Sequence, residues 1–381
     1  MTLHANRRSL LLGLAAAPVL ASGCATRPKA YANAIPSAGA GAADFLGPVE
    51  GTVRLSSNEN PYGPSPSALK MIDYAGKQGA YYADRANAKL KDMIAERHGV
   101  TRKQIVLSAG SAEVLRAAAL LYGLNGPIVT PRLFFDPTVT YAERLGVTQI
   151  ERCPLHDDMG IDLAAMEARV TSATGMVQIC NPNNPTGMTL PTELLKPAVR
   201  RMSKLAPVVV DEAYIELLKN PEADGCVDLV RAGHDVIVSR TFSKVYGMAG
   251  LRVGYAITTE EIAPKLQGAV MSWMSGVGLA AAIGCYNDQP FLDYSKAKIL
   301  EGREMLEETL DTLGLERKPS DANFVYFNAG MPANSLREKM AEEGILIRSK
   351  YMDYDNWSRV SVGKLEDVAT FCEALPRMIE A

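Results

Sequence analysis

From about Val53 onward, short apolar runs alternate with amphipathic stretches. The runs "QIVLSAG", "GPIVT", "GMVQIC", "PVVVDEA" and "DVIVSR" are brief, rich in β-branched residues and free of polar alternation. Strands with that pattern are apolar on both sides, as in a parallel sheet covered on both faces. Between them, helical spacing predicts an amphipathic helix over 88–98 and another from Ala112 to Tyr122. After Tyr255 the pattern shifts to longer charged helices, such as Ser295 to Leu313, with two short strands around "NFVYFNA" and "RVSVG". The prediction is an α/β chain with no internal repeat. A large domain over 81–258 is built on a mostly parallel sheet, and a smaller α+β domain follows over 259–381. Residues 49–80 form an arm leading into the first.

The amino terminus breaks this pattern. Arg7 and Arg8 precede a charge-free run from Leu10 to Ala21, too short for the ~20 apolar residues that span a bilayer. Charge, a short apolar core and then small residues are the layout of an export signal. The paired arginines point to the twin-arginine route, with Asn6 where that pattern usually has a hydroxyl residue. "LASGC" is similar to a lipoprotein signal ending at Cys24. The expectation is an export signal over 1–24, a lipid anchor at Cys24, and a flexible Ala/Gly/Pro/Ser-rich tether over 25–48. The mature protein would then lie in the periplasm or on the membrane.

The 381 residues are 47% hydrophobic, enough for substantial cores. A net charge of −3 without a basic block gives no support to a nucleic-acid partner. His4, His98, His156 and His234 lie far apart and no Cys-x-x-Cys occurs, so no metal site is expected. Cys153, Cys180, Cys226, Cys285 and Cys372 are scattered singly and read as small apolar residues rather than a disulfide framework.

Three of the apolar runs end in chemistry. "GMVQIC" leads to Asn184 in "NPNNPTG", "PVVV" to Asp211 and Tyr214, and "DVIVSR" to Thr241, Ser243 and Lys244, with Arg252 following. Each residue has an ordinary structural reading as a cap, a turn or solvated surface. Ligands of open parallel sheets bind outside the carboxyl ends of the strands, and there the residues would meet. A carboxylate holds a ring nitrogen protonated, an amide and a phenol bond a ring oxygen, and a desolvated lysine forms a Schiff base with an aldehyde. Hydroxyls and a guanidinium suit a phosphate dianion. Together they describe a pyridoxal 5'-phosphate site. "SAGSAEVL" offers a further anion contact, the free N–H groups of Ser111 and Ala112 where a glycine turn opens a helix.

"LSSNENPYGPSP", "SAGSAEVL", "NPNNPTG", "VVVDEAY", "RTFSKVYGMAGLRVGY" and "NFVYF" occur in one order over residues from about 50 onward. In this the chain resembles the fold-type I pyridoxal-phosphate-dependent aminotransferases, specifically the histidinol-phosphate aminotransferase group. The resemblance implies a Lys244 Schiff base, ring contacts from Asn184, Asp211 and Tyr214, and a phosphate grip from Thr241, Ser243 and Arg252. It further implies a stacking ring at Phe135, with Phe134 beside it as the core alternative. Arg359 would hold the substrate carboxylate, with Asn60, Tyr62 and Arg348 as further substrate contacts. Tyr82 would reach the cofactor phosphate of a neighbouring subunit, so a homodimer with shared sites is implied.

Two positions depart from the family pattern: Tyr82-Ala83-Asp84 replaces Tyr-Pro-Asp, and Thr138 replaces an aromatic, a change expected to alter one side of the substrate pocket. The activity so implied moves an amino group between an amine and a 2-oxo acid. Histidinol phosphate belongs to a cytosolic pathway, so an exported member is expected to act on another amine, such as a free amino acid or a peptide-like metabolite. Histidinol-phosphate transamination itself, another pyridoxal-phosphate reaction (decarboxylase or lyase) and a non-catalytic cofactor sensor are the alternatives.

Overall fold

The computed structural model describes residues 46–380; the expected export signal, Cys24 and most of the tether lie outside them. The chain enters on β1 (Val53–Arg54) and two helices, α1 (Pro66–Gly76) and α2 (Asp84–His98). Ser65 caps α1 by accepting from the Ala68 N–H, with Pro66 in the first turn, where its missing N–H costs nothing. Then come β2 (Ile105–Ser108), α3 (Ser111–Gly123), β3 (Ile128–Pro131), α4 (Pro137–Arg144), β4 (Ile150–Cys153), α5 (Leu163–Glu167), β5 (Met176–Cys180), α6 (Thr192–Met202) and β6 (Val208–Asp211). After the short helices α7 (Pro221–Asp224) and α8 (Val227–Arg231) lie β7 (Val236–Thr241), β8 (Gly254–Ile257), α9 (Ile262–Ala269) and α10 (Gly276–Cys285). The carboxyl-terminal part holds α11 (Gln289–Thr312), β9 (Phe324–Asn328), α12 (Ala333–Glu342), β10 (Ile345–Leu346), β11 (Trp357–Ser361) and α13 (Leu365–Glu380).

Seven strands form one sheet in the order β2-β8-β7-β6-β5-β3-β4. The expected parallel pairing runs from β7 to β4, but β8 is antiparallel to both of its neighbours. That reversal folds the chain leaving β7 back over the same end of the sheet. Successive residues of the central strands face opposite covers: Val208 and Val210 pack with α2, α6 and α10, whereas Val209 packs with α3, α4 and α9. That double burial is why these strands lack polar alternation. β4 was not marked by any apolar run, because three of its four residues are only partly buried at the sheet edge.

A third apolar core gathers Leu306 and Leu310 of α11, Val325 and Phe327 of β9, Val360 of β11 and Phe371 of α13. The charged helix expected from Ser295 starts earlier, at Gln289, where the Asp288 carboxylate accepts from the Phe291 N–H and Pro290 occupies the first turn. Four of the five cysteines among the described residues are buried, and all five are free thiols.

Candidate active site

β5 and β6 end level with one another and β7 runs two residues further, with Cys180 paired to Asp211 and Asp211 to Ser239. Asn184 follows β5, Asp211 closes β6, and Thr241 closes β7, with Ser243 and Lys244 just beyond. Because β8 returns antiparallel beside β7, Arg252 is delivered to the same sheet end as Lys244. These residues, with Ser111, Ala112 and Phe135, border one cavity of about 300 Å³, a size suited to a small-molecule ligand. Arg348 and Arg359 line it from the carboxyl-terminal part of the chain.

Three groups of contacts are built into the cavity wall. Thr241 Oγ1 donates to Ser243 Oγ at 2.8 Å, and Arg252 Nη1 reaches Ser243 Oγ at 3.5 Å. The amino end of α3 opens beside them, where the first N–H groups have no preceding turn to bond. Gly110, at φ +80°, makes this approach possible: a Cβ there would overlap the Arg252 guanidinium. Opposite, the Tyr214 hydroxyl accepts from two amides, Asn58 Nδ2 at 3.1 Å and Asn184 Nδ2 at 3.2 Å. Asn184 Oδ1 accepts in turn from Arg359 Nη1 at 2.7 Å, while Arg359 Nη2 donates to Ser56 O. Asn183 donates to Leu133 O, tying this loop to the segment that carries Phe135.

Two titratable groups dominate the electrostatics. Burial lowers the Lys244 ammonium to about 8, aided by the Arg359 charge and opposed by Asp211. Lys244 Nζ donates to Asn58 O at 2.9 Å. Burial raises the Asp211 carboxyl to about 7, with Lys244 pulling the other way. Asp211 Oδ1 is buried with no hydrogen-bond partner, a costly arrangement unless a ligand completes it.

Not every expected contact is made here. Asn60 is buried away from the cavity, with its amide donating to Val245 O and Ser295 Oγ. Tyr62 accepts from the Leu365 N–H and packs edge-on against Tyr294. The asparagine that does border the cavity is Asn58, held at φ +53° by Ser361, which donates to Asn58 Oδ1. Its motif contains both asparagines, and only the long-range partner distinguishes them. Thr138 is fully buried, its hydroxyl accepting from Gln178 Nε2, so it does not line the cavity as expected. Arg359 lies within β11 and is only 4% exposed. Tyr82 is 79% exposed and packs against Trp273 in a separate cavity, away from its own chain's Lys244. Tyr351 lines the site without any signal in the sequence, since nothing in "SKYMDYD" separates it from Tyr354.

The fold and this cavity define a pyridoxal-phosphate-dependent transferase of fold type I. The chain belongs to the class I and II aminotransferases, whose pattern matches residues 50–375. It is 37% identical to histidinol-phosphate aminotransferase 2 of Methylococcus capsulatus, over 86% of this chain and 90% of that protein. It is 31% identical to the histidinol-phosphate aminotransferase of Moorella thermoacetica, over 87% and 86%. Among solved structures, the Sinorhizobium meliloti histidinol-phosphate aminotransferase in complex with pyridoxal-5'-phosphate superposes with a TM-score of 0.79 at 29% identity, over 86% of this chain and 91% of that one.

The donor set fits the same cofactor. The unpartnered Asp211 oxygen suits a protonated ring nitrogen, the α3 terminus with Thr241, Ser243 and Arg252 suits a phosphate, and Lys244 suits an aldehyde. This is a pyridoxal-phosphate-dependent aminotransferase.

Proposed function

We propose that the protein moves an amino group from an anionic primary amine to a 2-oxo acid, with histidinol phosphate the first donor to test because several relatives carry that activity in their names. The observation carrying this is the Lys244 amine with its lowered pKa, facing a cavity that also holds Asp211, Arg348 and Arg359.

Pyridoxal phosphate, when bound, supplies an aldehyde to accept the amino group and an electron-withdrawing ring. The chain does the rest. Thr241, Ser243, Arg252 and the α3 terminus would hold its phosphate, and Asp211 would keep its ring nitrogen protonated. Asn184 and Tyr214 would hydrogen-bond the ring, and Phe135 would supply an apolar surface to it. Lys244, once free, would take the proton from the donor's amine-bearing carbon as general base and deliver it as general acid to the carbon that the cofactor's aldehyde supplies. Arg359 and Arg348 offer guanidinium groups to the donor's anion, with Tyr351 beside both. A second copy of the chain would supply Tyr82 to the phosphate.

The paired arginines and apolar run before Cys24 support a second reading of the donor, in which an exported enzyme uses a free amino acid or peptide-like metabolite. A visible absorption titration of the purified protein separates the two. A cofactor band that histidinol phosphate converts, and a 2-oxo acid restores, supports the first donor. Conversion only by other amines supports the second. Carbon dioxide release without keto product would overturn amino transfer.

A further inference from the structure

Cys180 closes β5 in direct register with Asp211, so both side chains leave the sheet on the same face. It is fully buried. Its Sγ lies 3.3 Å from Pro182 O and 3.8 Å from Asp211 Oδ2. The other carboxylate oxygen, Oδ1, is buried without a partner, on a residue that lines the cavity. The two oxygens of Asp211 are therefore divided: one has the thiol beside it, and the other has no partner.

A thiol has one proton and here has two acceptors. Against a protonated Asp211 both acceptors are neutral, and Pro182 O is the closer of the two. An ionised carboxylate is a roughly twofold stronger acceptor. We propose that Cys180 is a positioning residue for the cofactor: its S–H turns from Pro182 O to Asp211 Oδ2 when Asp211 ionises against a protonated ring nitrogen, fixing the carboxylate so that the unpartnered Oδ1 is left for that nitrogen. No bond to sulfur forms or breaks; only the hydrogen-bond acceptor changes. Burial drives the Cys180 thiol well above its ordinary range, so sulfur stays a donor and never a competing anion. A thiol is also a weak donor, which orients Asp211 while withdrawing little of its charge. The other groups acting on Asp211 are Lys244, Glu212 and the Ala213 N–H, and a change at Cys180 leaves all three in place.

This inference rests on pyridoxal phosphate as the cofactor. The test uses the full chain before and after loading with it. The S–H stretching band of Cys180, assigned by its loss in Cys180→Ser, is expected to move to lower frequency on loading. An unmoved band beside a normal cofactor absorption would overturn the inference and leave the cofactor assignment standing; no cofactor absorption would overturn both. Cys180→Ala is expected to weaken cofactor binding roughly two- to tenfold, the range of one hydrogen bond, and to shift the pH midpoint of the bound cofactor's visible band. Cys180→Ser, which restores a donor, is expected to bring both back towards the wild-type values. Equal binding and an equal midpoint in wild type and alanine variant would reduce Cys180 to packing. Should the alanine variant not fold, the infrared comparison on the wild-type protein decides alone.

Discussion

Lys244 and Asp211 are a base and an acid buried at one sheet end, and each shifts the other less than burial shifts both. Below pH 8 most of Lys244 is ammonium and cannot attack an aldehyde; above it the free amine prevails. Capture of pyridoxal phosphate by the cofactor-free protein should therefore accelerate with pH up to about 8 and then level, as read by stopped-flow absorbance. Acceleration continuing to the ordinary lysine range would contradict the burial argument. Lys244→Ala should lower amino transfer by at least roughly 10²–10⁴-fold, the usual worth of a general base, with the far-ultraviolet dichroism unchanged. Arg359 presents a guanidinium already fixed by Asn184 and Ser56, so a substrate anion meets a preorganised partner. Arg359→Gln should cost roughly 10- to 100-fold in kcat/KM, the value of a hydrogen bond to a charged group, mostly through KM for anionic donors.

At the scale of elements, the turn from β7 into β8 does more than any single strand. The antiparallel return pairs Thr241 with Gly254, so the twelve residues 242–253 form one loop over the sheet end, carrying the lysine at its start and Arg252 near its finish. The carboxyl-terminal sheet of β9 and β11 contributes in another way, pairing Arg359 with Tyr326 and turning the arginine towards Asn184. Its support is the core beneath it. Leu306 of α11 is fully buried there, and Leu306→Ala should cost about 2–5 kcal/mol in denaturant unfolding while the donor KM of the folded fraction stays the same. A KM change as large as that of the Arg359 variant would mean that α11 controls the site directly.

At the scale of the whole molecule, the cavity as one chain builds it lacks Tyr82, which stands exposed beside an exposed Trp273. If a second copy supplies it, Lys244→Ala and Tyr82→Ala variants, each impaired alone, should recover activity when unfolded and refolded together. The mixed pair contains one site with both native residues. Recovery no greater than the sum of the separate variants would show that each chain works alone. Light scattering of the same samples checks that they associate equally.

The sequence by itself determined the parts that are local. Asn184, Asp211, Tyr214, Thr241, Ser243, Lys244 and Arg252 were legible because each sits close to an apolar run, and the end of a buried strand is where polar groups must emerge. The cofactor class followed from that inventory of an amine, a carboxylate, an amide, a phenol and a phosphate grip. What the tertiary structure alone decided is whatever depends on partners distant along the chain. It chose Asn58 over Asn60, because Ser361, 303 residues away, holds the first and Ser295 and Val245 bury the second. It placed Thr138 in the core through Gln178, brought Tyr351 to the cavity, and reversed β8, which a four-residue apolar run does not foretell. It also set Cys180 beside Asp211, since side-chain position in a sheet is fixed by register between strands and not by spacing along either one.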